Sequence, residues 1–266
     1  MISYAQNFED VMLARAFGRR EQGFYIDIGV WDAAIDSVTK HFYDLGWSGV
    51  NVEPLTKNHA AIAQARPRDI NINAAVSSSH DPIVLHHVVG TGLSTSSSEY
   101  AGRHAAQGYA VEPTKVNTIG LAELCERHAA GRCIDFIKID VEGAEADVVS
   151  SGDWARFRPQ IAVVEATEPN RPIASFAEWE PMLLAHDYQF VYFDGLNRWY
   201  VRAESPELLP AFACPPNPFD GYVMARVARL EGEQAELRKL GRLVTRIESS
   251  FISRTLLRIA NRLAPP

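Results

Sequence analysis

Apolar residues along this chain come in short runs between polar, glycine-bearing stretches, and the period within each run says which element it should build. Phe24, Tyr25 and Ile26 lead into Asp27 and Gly29, the signature of a buried strand ending in a tight turn. Val38, Phe42 and Leu45 recur at helical spacing over 37–45, Gly46 stops that helix, and 50–52 is a second short strand ending at Glu53. Upstream, Phe8, Met12 and Ala16 place a helix within 3–20, closed by Gly18. Downstream, the pattern predicts a helix over 55–65, a third strand over 69–76, extended pieces at 82–89 and 111–116, and a helix over 118–130. Residues 134–140 are apolar almost without a break, as a strand buried on both faces of a parallel sheet must be. A helix over 145–151, a buried strand over 160–164 ending at Glu165 and a helix over 176–186 follow. The turn Asp194-Gly195-Leu196-Asn197 joins strands 189–193 and 198–201 in a hairpin, so the last strand runs antiparallel. The sum is an α/β protein with a central, mostly parallel seven-stranded sheet and an antiparallel last strand.

The unit over 24–53 carries the first chemical signal. Gly29 frees the backbone for a ligand's approach, and Glu53, 24 residues later, can accept hydrogen bonds from ribose hydroxyls. The second and third glycines of G-x-G-x-x-G are missing, which disfavours a pyrophosphate and hence an NAD-dependent enzyme. Asp27 would repel phosphate but suits a cation such as S-adenosylmethionine, with its sulfonium and ammonium. A plain α/β crossover without a ligand explains the same residues. Ligands of open α/β sheets lie beyond the carboxyl ends of the strands, so Asp27, Glu53, Asp140 and Glu165 should converge on one rim. The polar stretch 90–98 reads as a mobile cover over a site or as a surface linker. His86 and His87 are adjacent on an extended piece, point to opposite faces and cannot readily share a metal.

Composition narrows the classes. A chain of 266 residues can bury one substantial core, and 47% hydrophobic with 22% charged residues is ordinary for a globular protein. The net charge of −7 argues against a nucleic-acid partner. Cys125, Cys133 and Cys214 form no C-x-x-C and read as reduced thiols of a cytoplasmic protein. No signal peptide and no run of 18 apolar residues is visible. A domain over 1–205 is expected to pass through a proline-rich link, 206–221, into a tail, 222–266. In the tail Val223, Leu230, Leu237, Val244 and Phe251 recur every seven residues, beside Leu240 and Ile247. Between Arg238 and Arg262 seven basic residues face one acid, Glu248, a balance of +6. Arg254, Arg258 and Arg262 lie opposite Ile252, Leu256, Leu257, Ile259 and Leu263. This is the pattern of a helix on an anionic membrane surface, against an acidic partner, against its own domain or in a homo-oligomer.

Six stretches together resemble the FkbM-type S-adenosylmethionine-dependent methyltransferases. They are Ser3-Tyr4-Ala5-Gln6-Asn7-Phe8-Glu9-Asp10, Asp27-Ile28-Gly29, Asp36-Ser37-Val38-Thr39-Lys40, Asn51-Val52-Glu53-Pro54, Ile137-Lys138-Ile139-Asp140-Val141-Glu142-Gly143-Ala144-Glu145 and Phe193-Asp194-Gly195-Leu196-Asn197-Arg198. The resemblance implies a Rossmann-like class I methyltransferase fold. It implies that Gln6, Asn7, Asp27, Gly29, Val30, Ser37, Glu53, Ala74, Ala75 and Asp140 hold S-adenosylmethionine, with Asp27 near the sulfonium, Glu53 on the ribose and the two alanines beside the adenine. Where the family usually has Ala-Asn, Val30-Trp31 would close the turn more tightly over the methionine portion. The implied acceptor is a sugar hydroxyl of a surface glycan or its precursor, with a glycosyltransferase or the inner membrane face as the tail's partner. Asp140, Glu142, Glu165 and Asp194 are the candidate general bases. Asp140 and Glu165, with Asn170 nearby, also offer oxygen ligands for Mg²⁺, whereas Glu142 and Glu145 can simply favour a helix's first turn. The rival function is a non-catalytic scaffold of the same fold that docks through its tail.

Overall fold

The computed structural model describes residues 1–18, 20–249, 255, 258 and 259. The chain forms two compact units, Met1 with Ser3–Gly221, and Ile2 with Tyr222 onward. The first unit is built on seven strands: β1 Phe24–Ile28, β2 Ser48–Val52, β3 Ile70–Ile72, β4 Phe136–Ile139, β5 Ile161–Glu165, β6 Tyr188–Phe193 and β7 Asn197–Arg202. Their order across the sheet is β6-β7-β5-β4-β1-β2-β3. β7 lies antiparallel to both β5 and β6, and the β5–β4, β4–β1, β1–β2 and β2–β3 pairs are parallel. The order reverses at β1 and β4, which opens a crevice at their carboxyl ends.

The period of two along each strand divides the core. Ile26, Ile28, Ile137, Ile139, Ala162 and Val164 face one side, packed with Val148, Val149 and Leu124. Tyr25, Phe136, Ile161, Val163 and Trp199 face the other, packed with Met12, Leu13, Phe17, Phe42 and Trp47. The first unit's α-helices among the described residues are α1 Glu9–Phe17, α2 Lys40–Asp44, α3 Thr56–Ala65, α4 Ser98–Ala106, α5 Leu121–His128, α6 Glu145–Ser150 and α7 Glu180–Leu184.

Several boundaries differ from the pattern's expectation, each for a local reason. The first helix begins only at Glu9, because the Asp10 carboxylate accepts from Ser3 Oγ and the Tyr4 amide and holds 3–8 in a loop. The stretch 69–76 is split: β3 ends at Ile72, and Ala75–Val76 pairs in parallel with Thr118–Ile119 in a separate small sheet. That pairing also takes two residues from the helix expected over 118–130. Ile83–Val88 and Val111–Val116 form an antiparallel hairpin, and α4, which no apolar period announces, spans part of the segment between them. Residues 206–221 are not a bare link: Leu208, Ala211 and Phe212 enter the core, and Arg15 donates to the Ala211, Cys214 and Pro215 carbonyls and pairs with Asp220.

The second unit contains α8, Ala225–Ser249, whose Leu230, Leu237, Leu240, Val244 and Ile247 are exposed. The continuation read at Phe251, Ile252, Arg254, Leu256, Leu257, Arg262 and Leu263 lies outside the described residues.

Gly29 shows why the β1 turn requires glycine. Its φ is +87°, and a Cβ there would lie 1.8 Å from the Asp140 carbonyl oxygen, so the neighbouring strand's backbone occupies the space. Gly131 also has positive φ, +75°, but nothing lies within 4 Å of its Cβ position. Gly29→Ala should therefore cost about 3–5 kcal/mol in urea unfolding, combining overpacking with left-handed strain, and Gly131→Ala only about 1 kcal/mol.

Candidate active site

Beyond the carboxyl ends of β1, β2 and β4 lies a cavity of about 380 Å³, within the range of about 300–1,000 Å³ typical of small-molecule sites. Gly29, Val30 and Trp31 form one wall, Glu53 to Leu55 a second, and Ala74 to Val76 a third. Asp140 to Glu142 lie across from them. Gly90 to Ser94 and Ser96 close the remaining side, so the polar stretch is a cover in position. It is tied down by Thr95, fully buried, whose Oγ1 donates to the Glu142 carbonyl at 2.7 Å.

The charged residue that organises this region had no role assigned from sequence. Lys138, in the middle of β4 and 8% exposed, lies 3.1 Å from Asp140 Oδ2 and 3.9 Å from Asp27 Oδ1 and donates to the Gly29 carbonyl at 3.3 Å. Burial alone would push its pKa down, but Asp140, Asp27 and Glu9 outweigh that and hold it above the ordinary lysine value. The available signal was a lysine inside an otherwise apolar strand, which must have a partner.

Glu53 is 5% exposed, its Oε2 accepting from the Trp31 amide at 3.1 Å and its Oε1 from the Leu55 amide at 2.8 Å. It thereby fixes the walls on both sides of the cavity. Burial pushes its pKa up to about 7 despite these bonds. Asp140, Glu142 and Glu165 each offer an oxygen, all within 4.8 Å of one another. Burial first, then the Asp140 charge, raises the pKa of Glu142 and Glu165 well above the carboxylate range. An oxygen of each is buried without a hydrogen-bond partner. Glu145 accepts from the Val141 and Gly143 amides, tying the turn after β4.

Of the residues expected at the site, Gln6, Gly29, Val30, Glu53, Ala74, Ala75, Asp140 and Glu142 border the cavity. Glu165 lies beside Asp140 and Glu142 at the end of β5. Asp27 is not among the lining residues. Tyr25 and Asp27 share the face opposite Ile26 and Ile28, so Asp27 turns under the rim, accepting from Thr39 Oγ1 at 2.7 Å. Ser37 is buried beneath the same loop, its Oγ accepting from Arg66 at 2.5 Å. Asn7 Nδ2 donates to the Asp194 carbonyl at 3.2 Å. Asp194 itself closes the β6–β7 turn, Oδ1 accepting from the Leu196 and Asn197 amides and Oδ2 from Trp199 Nε1. Asn170 sits in an exposed turn with φ +55°.

An open sheet of this order, with its crevice at the reversal point and an acid closing the second strand, defines a Rossmann-like methyltransferase fold. Residues 23–190 match the family model described as Methyltransferase FkbM domain, and the chain belongs to that family. No curated protein matches it. Among solved structures, a TehB-like SAM-dependent methyltransferase from Corynebacterium glutamicum ATCC 13032 Kitasato is similar with TM-score 0.39 and 8% identity, over 73% of this chain and 87% of that one. A Methanococcus jannaschii fibrillarin pre-rRNA processing protein is similar with TM-score 0.38 and 12% identity, over 73% of this chain and 76% of that one. These likenesses are distant.

Family membership implies S-adenosylmethionine, and the residues fit it. The apolar Val52, Leu55, Ala74 and Val76 offer a slot for a flat base, Glu53 an acid at the end of β2 able to accept from hydroxyls, and Asp140 a carboxylate for a cationic group. No glycine-rich pyrophosphate turn is present.

The start of α1 carries a pH-dependent load. Glu9, 4% exposed, accepts from Asn197 Nδ2 and the Asn7 amide, and burial followed by the Asp194 charge raises its pKa to about 7. An acid whose pKa is higher folded than unfolded binds the proton more tightly in the fold, so its contribution falls as pH climbs from about 4.5 to 7. That loss is about 3 kcal/mol for a shift of this size. Glu9→Gln should flatten the dependence of urea-unfolding stability on pH between 5 and 8 by about this amount, and an unchanged slope would rule the assignment out.

Proposed function

We propose that the chain is an S-adenosylmethionine-dependent O-methyltransferase acting on a sugar hydroxyl of a surface glycan or its precursor. The observation that carries this reading is the group of carboxylates, Asp140, Glu142 and Glu165, beside a cavity suited to the methyl donor. A sugar hydroxyl is a poor nucleophile, and transfer requires that its proton leave; carboxylates whose proton affinity burial has raised are suited to receive it. When bound, the donor supplies an electrophilic methyl group and a neutral thioether as leaving group. The chain's own part is positioning and proton transfer. Glu53 would hold the ribose, Asp140 the cationic end, and Glu142 or Glu165 would take the hydroxyl proton as the oxygen lone pair forms the new carbon–oxygen bond. Thr91, Ser94 and Ser96 at the cover give the opening hydrogen-bonding groups suited to a polyhydroxyl acceptor.

Isothermal titration with S-adenosylmethionine separates this reading from a scaffold that has kept the fold: heat at sub-millimolar concentration is expected, and none would favour the scaffold. In Glu142→Gln or Glu165→Gln, affinity for the donor should stay within about threefold, while turnover falls by about 10²–10⁴ in whichever variant removes the base, the range expected for lost acid–base assistance. Mass spectrometry of surface glycans with and without the gene should show a methyl group lost in its absence.

The tail is proposed to serve association rather than catalysis. Its exposed apolar stripe and the basic Arg238, Lys239, Arg242 and Arg246 suit an anionic membrane face or an acidic partner such as a glycosyltransferase. No helix among the described residues is long and apolar enough to cross a membrane. Removing 222–266 should leave donor binding unchanged while altering oligomeric state or vesicle binding; lost donor binding in a folded monomer would contradict the division of labour.

A further inference from the structure

We propose that Asp140, Glu142 and Glu165 form a binding site for a hard divalent cation, Mg²⁺ or Mn²⁺, at the edge of the cavity. Three carboxylate oxygens lie within 4.8 Å of one another, a spacing at which a single ion can bridge them. The elements bring them there from two adjacent strands. Asp140 follows β4, whose parallel pairing with β5 sets Ile139 beside Val164, so Asp140 and Glu165 emerge side by side. Glu142 is held in the turn beyond Asp140 with φ +56°, a left-handed conformation that costs a non-glycine residue about 1–3 kcal/mol and persists only where the surroundings impose it. Thr95, on its carbonyl, and Glu145, on the amides at either side, impose it.

An independent observation points to a ligand. Glu165 is 5% exposed and has an oxygen buried with no hydrogen-bond partner, and Glu142 has another. Buried carboxylate oxygens are ordinarily satisfied, and those left over beside other carboxylates mark a place for a positive species. Lys138 does not fill it: its ammonium lies between Asp140 Oδ2 and Asp27 and donates to the Gly29 carbonyl. Arg103 is engaged by Glu99 and by Glu168, which lies beyond β5. An all-oxygen, all-carboxylate donor set selects hard cations over zinc or copper. Asp140 and Glu142 border the cavity and Glu165 does not, so the open coordination positions would face the cavity. There the ion would lower the pKa of a hydroxyl oxygen bound to it. This consequence rests on the methyl-transfer reading; the binding does not.

The test is titration of Mn²⁺ into the metal-free full-length chain, read by the electron paramagnetic resonance of free Mn²⁺, with Mg²⁺ as competitor. One competable ion per chain is expected, with affinity at least about tenfold weaker in Glu165→Gln and in Glu142→Gln, and unchanged in Glu123→Gln, a surface acid paired with Arg127. Glu142→Gln, at the cavity edge, keeps the test decisive if Glu165→Gln does not fold. No saturable binding at millimolar Mn²⁺, or binding unaffected by both variants, overturns the proposal. Calorimetry with S-adenosylmethionine on the same samples keeps the two readings apart. Donor binding without Mn²⁺ binding removes the cation site alone, and Mn²⁺ binding without donor binding removes the methyl-transfer reading alone.

Discussion

A lysine buried in the central strand of a parallel sheet is the constraint on which the site depends. An ammonium in that position would be costly if left unpaired, and it is compensated by Asp27 from the neighbouring strand and Asp140 from its own. The pairing is set by sheet register, since Asp27 and Lys138 are direct partners across β1 and β4. The same ammonium reaches the Gly29 carbonyl, so the turn that walls the cavity, the strand-end acid and the strand itself are fixed by one charge.

A second buried cation extends the arrangement. Arg66, without solvent exposure, donates to the Ala33 carbonyl, Ser37 Oγ and Thr39 Oγ1, and Thr39 in turn donates to Asp27. The loop after Gly29, which has no glycine-rich sequence to shape it, is thus held from below by an arginine supplied just after α3. The turn's conformation comes from this support and from the Glu53 carboxylate on the Trp31 amide, and Trp31 itself adopts φ +47°. A loop fixed in this way can wall a cavity without needing a phosphate to order it.

The cover follows a similar logic. Residues 90–96 have few apolar side chains of their own, and their placement rests on the hairpin at their base and on Thr95 bonding to His86 and to the turn after β4. Gly92 sits against the Trp31 ring, where an added Cβ would meet it at 3.4 Å. Cover and first turn therefore pack on each other across the cavity mouth, with Trp31 at that contact.

The amino-acid sequence alone determined a mostly parallel seven-stranded sheet with an antiparallel last strand, and a rim at the strands' carboxyl ends where Glu53, Asp140 and Glu165 gather. These follow from period and from strand-end acids, which are local properties. The start of α1 was not legible because it rests on which polar side chain, Asp10, captures the Ser3 hydroxyl and the Tyr4 amide, and the packing of 206–221 was not legible because a side chain distant in sequence, Arg15, decides it. Tertiary structure alone decided that Asp27 turns beneath the rim while Lys138 joins the site. Alternation says that Asp27 and Ile28 face opposite ways, but which face meets the cavity depends on what packs against each side of the sheet. It also decided that Gly29 is needed for the Asp140 carbonyl, a close approach between strands more than a hundred residues apart that no local pattern encodes.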